Sequence, residues 1–192
     1  MERHGLQPVK LNLNEPYQKV LTWFFSFPSR EIGLSDLSEA VGISKATANR
    51  IVNQLVKEKF LNVEVLGNVW RISCAKYHPY NFSMKIGYNL MMIYGSGILK
   101  EVHEKVKNPR AVVLFGSYRK GDDNEKSDID IAVEVFGDEG MKIDERCFIT
   151  RFGYREHVQV NMHIFSRSKI DLNLFANIAN GIVLEGFLEV KP

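Results

Sequence analysis

The chain has 192 residues, 45% of them hydrophobic and 25% charged, with 25 lysine and arginine residues against 23 aspartate and glutamate residues. This apolar fraction supports folded cores throughout, and a net charge of +2 is a small excess for a nucleic-acid-binding protein. The only two cysteines, Cys74 and Cys147, lie far apart, which excludes a cysteine zinc site or disulfide framework and favours a reducing cytoplasm. We expect no signal peptide, no membrane-spanning segment and no membrane partner.

The first half of the chain begins with three predicted helices. Apolar positions recur at helical spacing over residues 16–27, which predicts the first helix. Ser35 is expected to cap a short second helix, and Gly42 turns the chain after it. Ser44 is expected to cap a longer third helix that runs to about residue 59.

A hairpin is predicted after the third helix. Two β-rich runs, 60–66 and 69–73, are joined by Gly67 and Asn68, a pair typical of tight hairpin turns. The order of helix, helix-Gly-helix and hairpin over residues 14–75 resembles the winged helix-turn-helix of small prokaryotic transcription regulators. The resemblance implies a DNA-binding module, and the alternative is a module for protein docking or dimerisation.

The third helix carries the residues expected to contact DNA. Its apolar positions form one buried stripe, which leaves a polar face outside. Such a face offers hydrogen-bond donors to base edges and phosphates, and a wing tip can follow a minor groove. The expected DNA contacts are Lys45, Thr47, Asn49, Arg50 and Asn53 on the helix and Asn68 at the wing tip.

A short linker is predicted between two domains. Pro79 interrupts regular structure and forces its neighbour out of the helical region, so residues 77–82 are interpreted as the linker. The predicted domains are therefore 1–76 and 83–192. The second half reads as a helix, strands and further helices around a pair of aspartates, an order that implies an α+β fold with a short, mixed, twisted sheet and flanking helices.

The most informative pattern lies between residues 110 and 131. An apolar, β-branched run ends in Gly116-Ser117, and Asp128 and Asp130 follow after a polar loop. Because strand side chains alternate between faces, the two carboxylates are expected to point the same way. Two like charges this close call for a cation, and Mg²⁺ (or Mn²⁺) suits carboxylate ligands. The glycine lets a backbone approach a bulky anion, so a nucleoside triphosphate is the expected ligand.

These residues resemble the DNA polymerase β-type nucleotidyltransferases, in particular their minimal prokaryotic, archaeal-type branch. The family pattern of an apolar residue, Gly-Ser, about ten residues and then Asp-apolar-Asp-apolar is met without gaps. The resemblance implies a nucleotidyltransferase fold that uses a nucleoside triphosphate and Mg²⁺. It implies catalytic and metal-binding roles for Asp128 and Asp130. The nucleotide contacts that it implies are Gly116, Ser117, Lys120 and Ser127.

Active members of the family carry a third carboxylate on a later strand. The candidate strand over 158–165 alternates apolar and polar residues, and its polar face holds Gln159, Asn161 and His163 but no acid. Asn161 best matches the third position, and an amide cannot act as a base. Glu156 could reach back to the site but is expected to be solvated, and His163 is expected to be hydrogen-bonded. The sequence therefore leaves open whether the chain is an active enzyme, and it favours activity.

Two further features complete the second half. The acidic loop with Asp122, Asp123 and Glu125 is expected to be solvated. A helix over 170–180 and a last strand over 182–190 are predicted from helical spacing and β-rich composition.

Three functional hypotheses follow from the two resemblances. In the first, the chain transfers a nucleotidyl group from a nucleoside triphosphate to an unknown acceptor, and its winged helix binds nucleic acid. In the second, it is a transcription regulator whose degenerate nucleotidyltransferase domain senses nucleotide or binds a partner. In the third, it is an antitoxin-like nucleotidyltransferase whose partner is a small helical toxin. A homodimer is compatible with each of them.

Overall fold

The computed structural model describes residues 4–6, 15–67, 69–138 and 140–190. Its first element is a short strand, β1 (His4–Leu6), and three helices follow: α1 (Pro16–Ser26), α2 (Leu34–Ala40) and α3 (Lys45–Lys57). The Oγ atom of Ser44 accepts the amide of Thr47 at 3.1 Å, so α3 has the predicted cap. Helix α2 begins at Leu34, one residue before its predicted cap at Ser35, and its N-cap is Gly33.

A two-stranded antiparallel hairpin follows α3. It consists of β2 (Leu61–Leu66) and β3 (Val69–Cys74), and the register pairs Leu66 with Val69 at its tip. Ile32 adds an antiparallel bridge to Ile72 on β3. The order of these elements is the one expected from the sequence, and Asn68 lies outside the described residues.

The second half of the chain forms a mixed sheet with helices on both faces. Its elements, in chain order, are α4 (Met84–Gly95), α5 (Ile98–Lys105), β4 (Ala111–Phe115), α6 (Gly116–Lys120), β5 (Ile129–Val135), β6 (Lys142–Phe152), β7 (Arg155–Ser166), α7 (Leu172–Ala179) and β8 (Ile182–Gly186). The strand order is β1-β6-β7-β5-β4-β8. Strand β5 is central, because it runs antiparallel to β4 and parallel to β7.

Each face of the sheet has its own apolar cluster. Buried residues of α4 and α5 pack with Ile129, Ile131 and Val133 of β5. On the opposite face, Ala132 of β5 packs in a second cluster with Ile178 of α7. The alternation of β5 thus places Asp130 on the same face as α7.

Several boundaries differ from the predicted ones. Strand β6 is not predicted by its sequence pattern, because its many charged residues and a register shift between Asp144 and Cys147 break the alternation. The last strand ends at Gly186 and does not run to residue 190. Gly186 has φ +77°, and a Cβ atom there would collide with the carbonyl of Arg110. The single helix expected before β4 is two helices, since Gly97 at φ +83° separates them.

The two halves of the chain are in direct contact. The rings of Phe25 on α1 and Tyr88 on α4 lie 5.8 Å apart, and the amide of Tyr154 donates to Ser26 Oγ at 3.2 Å. The segment predicted as a linker contains a 3-10 helix, Pro79–Phe82, whose Asn81 is buried. Strand β1 pairs with β6, so residues 4–6 join the sheet formed by the second half of the chain. Across the described ranges, every helix is too short or too polar to cross a lipid bilayer.

Candidate active site

The candidate site is built first from the corner between β4 and α6. All five residues of β4 are buried, and the chain turns at Gly116, which has φ +72°. A Cβ atom at this position would lie 2.6 Å from Oδ2 of Asp130, so only glycine fits without moving that carboxylate. The first residue of α6 and the carboxylate are therefore in close contact. This contact leaves backbone amides of the corner next to a site of negative charge.

The two predicted aspartates occupy different environments. Asp130 is the second residue of β5, stands opposite Phe115 of β4 and Asn161 of β7, and its side chain is 28% exposed. Asp128 is exposed and lies just before the strand begins. Both are open to a ligand from solvent, and Asp130 is the more constrained of the two.

The third position of the site holds an amide and an imidazole. Asn161 donates from Nδ2 to Oδ1 of Asp130 at 3.3 Å, and Nε2 of His163 lies 3.3 Å from the same oxygen. The ring of His163 also packs edge-on against Phe115, with centroids 5.0 Å apart. The hydrogen bond predicted for His163 is present, and its partner is Asp130. Because His163 lies two residues after Asn161 on β7, strand alternation places both side chains on the same face, and this spacing could have identified His163 as a neighbour of Asp130.

The other candidates on β7 lie away from the carboxylates. Gln159 donates to backbone carbonyls of β6, those of Glu145 at 2.6 Å and Cys147 at 3.0 Å. Glu156 is exposed and stands opposite Arg151, near the start of the strand. Neither side chain supplies the carboxylate that Asn161 lacks.

A cleft of about 280 Å³ opens beside the Gly-Ser corner. Lys120, one of the expected nucleotide contacts, lines it, and Arg119 precedes Lys120 on α6. Asn177 of α7 and Asn180, the C-cap of that helix, also line the cleft, and neither is among the residues predicted from the sequence. The full lining is Phe115, Gly116, Arg119, Lys120, Asn177 and Asn180. Two cations in one small cleft make it suitable for a polyanion.

Ser117 and Ser127 differ in what their side chains do. Ser117 is half-buried at the start of α6. The Oγ atom of Ser127 accepts the amide of Asn124 at 3.0 Å, which closes the turn just before Asp128. The serine in the second motif therefore shapes the loop that leads to the aspartates.

A buried polar network lies beneath the same loop. The prediction that Asp123 is solvated is wrong, since its side chain is 4% exposed and forms an ion pair with Lys85 at 3.2 Å. Asn89 donates to Asp123 Oδ1 at 2.8 Å and to the carbonyl of Tyr118 at 3.0 Å. Burial raises the pKa of Asp123, which Lys85 opposes, and burial lowers the pKa of Lys85, which Asp123 opposes. The loop is thus anchored to α4 and α6 from inside.

The donors near the corner suit one hard cation better than two. Among the described residues no group of three or more histidine, cysteine, aspartate and glutamate side chains is arranged around a common metal position. Asp128 and Asp130 offer two carboxylates of the kind that Mg²⁺ prefers, and Oδ1 of Asp130 is already engaged by Asn161 and His163. The chemistry of this set fits a single divalent ion held by the two aspartates. Asn161, the residue expected at the third position, offers no carboxylate for a second ion.

The residues predicted to contact DNA lie together on α3. Lys45, Arg50 and Asn53 are exposed, whereas Thr47 and Asn49 are half-buried. Asn53 donates to Asn49 at 2.5 Å, and the hydroxyl of Thr47 lies 2.8 Å from that of the capping Ser44. Asn68, the predicted wing contact, lies outside the described residues.

Comparison with known families gives a match in the second half of the chain. The family described as "Polymerase beta, Nucleotidyltransferase" matches residues 98–185, from the start of α5 into β8. This part of the chain is therefore similar to a nucleotidyltransferase domain, and its sheet with flanking helices fits that fold. The match covers less than half of the chain and leaves the N-terminal helices and hairpin unassigned. Neither curated proteins nor solved structures give a match to this chain.

Proposed function

We propose that the chain binds a nucleoside triphosphate with one divalent cation and transfers its nucleotidyl group to the hydroxyl of an acceptor. The observation that carries this proposal is the contact between the Gly116 corner and Asp130, beside a cleft lined by Arg119 and Lys120. A glycine corner accepts phosphate oxygens on backbone amides, while nearby cations neutralise their charge. The family match over residues 98–185 supports the same class of reaction.

The side chains have separable roles in this proposal. Asp128 and Asp130 would hold Mg²⁺ or Mn²⁺, which when bound neutralises the phosphate charge that develops as pyrophosphate leaves. Ser117 and the α6 amides orient the triphosphate, and Arg119 and Lys120 bind its oxygens. The acceptor oxygen forms a new bond to the α-phosphorus as the bond to the pyrophosphate oxygen breaks, and the acceptor proton is lost to water.

The amide at position 161 makes this reaction slow. Asn161 cannot take a proton from the acceptor, and it adds no negative charge for a second ion. It instead donates to Asp130 and fixes the orientation of that carboxylate. The same observation favours a second candidate function, in which the domain binds nucleotide without turnover and regulates a partner.

Binding and turnover measured on the same variants test the proposal. Affinity for ATP, CTP, GTP and UTP is measured by calorimetry with and without Mg²⁺, and pyrophosphate release is measured in parallel. Asp128→Asn and Asp130→Asn should lose the Mg²⁺-dependent part of nucleotide binding. Asp138→Asn is the matched control, since this acid is 73% exposed, pairs with Lys169 at 3.5 Å and accepts from the Ser168 hydroxyl at 2.7 Å.

Three outcomes separate the candidates. Mg²⁺-dependent binding with slow pyrophosphate release supports the transferase. Binding without release supports the second candidate. If wild type and both aspartate variants bind nucleotide equally, with or without Mg²⁺, the site is not a nucleotide and metal site and both candidates fail.

We further propose that the N-terminal helices and hairpin are a winged helix that binds DNA, in a protein that works in the cytoplasm. Lys45 and Arg50 support this proposal, because both are exposed on α3 and neither forms an ion pair with any described residue. Arg50→Ala should weaken binding to a duplex by about 1–3 kcal/mol if it reads a base.

Fluorescence anisotropy with duplex DNA at several salt concentrations is the measurement for this module. The apolar hairpin tip, where Val65 is 59% and Val69 is 63% exposed, makes protein docking the competing explanation. Absence of salt-dependent binding to any duplex would favour protein docking.

A further inference from the structure

Arg155, the first residue of β7, connects the two halves of the candidate site. Its Nη1 atom donates to the hydroxyl of Tyr118, and its Nη2 atom donates to the carbonyl of Ser127 at 2.9 Å. The residue is 8% exposed, so both contacts are shielded from solvent. One planar guanidinium thus reaches two separate segments at once, which a single ammonium group cannot do with the same geometry.

Each segment held by Arg155 leads directly to a predicted ligand group. Tyr118 is two residues after Gly116 on α6 and is completely buried. Ser127 immediately precedes Asp128. Between these two segments the chain runs through an irregular loop, residues 121–128, that contains no strand or helix. The Arg155 contacts therefore join α6 to the residue that precedes the exposed Asp128.

The buried charge of Arg155 needs compensating interactions. A buried guanidinium is costly unless it is hydrogen-bonded and compensated by an acid. Its hydrogen bonds go to Tyr118 and Ser127, and the buried acid Asp123, which pairs with Lys85 at 3.2 Å, interacts with it electrostatically. An apolar residue at this position would remove the guanidinium bridge from Tyr118 to Ser127, and the longer contact of 3.5 Å from the Tyr118 hydroxyl to the Ser127 carbonyl would remain.

We propose that Arg155 is a positioning residue that holds the Gly-Ser helix and Asp128 in register, so that triphosphate and cation are bound together. The proposal rests on the proposed nucleotide site. It states that the cooperation between Mg²⁺ and nucleotide depends on Arg155, whereas the binding of each alone depends on it much less.

The test is the coupling between the two ligands. Calorimetry gives the affinity for each of the four nucleoside triphosphates with and without Mg²⁺, and the ratio of the two affinities is the coupling. Arg155→Gln should reduce the coupling about tenfold, an effect of the size typical for linked sites. Tyr118→Phe removes both contacts of the Tyr118 hydroxyl but keeps the hydrogen bond from Arg155 to the Ser127 carbonyl, so it should reduce the coupling less. Arg151→Gln is the control, because this arginine is exposed on the neighbouring strand.

A second measurement does not depend on nucleotide. Hydrogen–deuterium exchange of the free protein should rise in residues 116–120 and 127–130 together in Arg155→Gln. In Tyr118→Phe it should rise less in 127–130 than in 116–120, because the hydrogen bond from Arg155 to Ser127 remains. Guanidinium added to Arg155→Ala should restore protection, whereas methylammonium should not. This measurement also judges the proposal if one variant is too unstable for calorimetry.

The outcomes separate the two proposals. Coupling that is present in wild type, lost in Asp128→Asn and unchanged in Arg155→Gln would overturn the role of Arg155 and leave the nucleotide site intact. Absence of coupling in wild type would overturn the nucleotide site and with it this proposal. Unchanged exchange in a folded Arg155→Gln variant would overturn the positioning role in either case.

Discussion

Substitution of Gly116 by alanine tests the contact on which the candidate site depends. A matched control exists, because Gly97 has a similar φ, +83° against +72°, and a Cβ atom at Gly97 meets nothing within 4 Å. The Gly97→Ala change therefore carries only the backbone strain of the left-handed region, about 1–2 kcal/mol. At Gly116 the new methyl group must also displace the Asp130 carboxylate, whose Oδ2 lies 2.6 Å away.

The displacement gives Gly116→Ala a larger expected effect. Moving Asp130 weakens the hydrogen bonds from Asn161 and His163, each worth about 0.5–1.5 kcal/mol. The total loss of unfolding free energy is then about 2–5 kcal/mol, against about 1–2 kcal/mol for Gly97→Ala.

Urea denaturation measures both variants, with the change in midpoint at constant slope as the readout. Mg²⁺-dependent nucleotide binding, measured under native conditions, should fall in Gly116→Ala only. Equal destabilisation of the two variants would show that the Gly116–Asp130 contact has no energetic importance, and the reasoning from the corner would fail.

Three other changes give distinct expected results. Asn161→Asp adds a carboxylate beside Asp130, so the variant should be less stable than wild type without Mg²⁺ and regain stability when Mg²⁺ is added. It should also release pyrophosphate faster than wild type. Unchanged pyrophosphate release would refute the role of position 161. Hydrogen bonds from Arg146 hold the pKa of Asp144 below its ordinary value, so Asp144 stabilises the fold above about pH 4 and this stabilisation is lost at lower pH. Asp144→Asn should therefore be less stable at pH 7 and lose less stability on acidification, as thermal unfolding against pH would show. Asp123→Asn leaves the buried Lys85 charge unpaired and should cost about 3–5 kcal/mol in urea denaturation, more than Arg146→Gln at a half-exposed pair.

The parts of the fold that could be predicted are those with a clean local pattern. Helix α3 has an apolar stripe and a serine cap, and the structure has the helix with that cap. Strand β5 has a simple alternation, so Asp130 and the isoleucines of this strand could be assigned to opposite faces. The adjacency of Asn161 and Asp130 follows from the same alternation once β7 lies beside β5.

The rest depends on contacts between residues far apart in the chain. Asp123 appears in a run of polar residues and looks solvated, and only α4, 34 residues earlier at Asn89, makes it buried. Arg155 has no local pattern that distinguishes it from other arginines, since its function depends on α6 and on the loop before β5. Asn177 and Asn180 face the cleft because α7 packs on one face of the sheet. Local periodicity contains no information about any of these placements.

The contact between Phe25 and Tyr88 has a consequence for how the chain unfolds. These two rings belong to one continuous apolar cluster that extends from α1 to the strands of the large sheet. Opening the boundary between the halves would expose aromatic surface on both sides, which water disfavours. We therefore expect a single calorimetric transition, with calorimetric and van't Hoff enthalpies that agree. A fragment that starts at residue 83 should aggregate or remain partly unfolded, although the sequence presents it as a separate module.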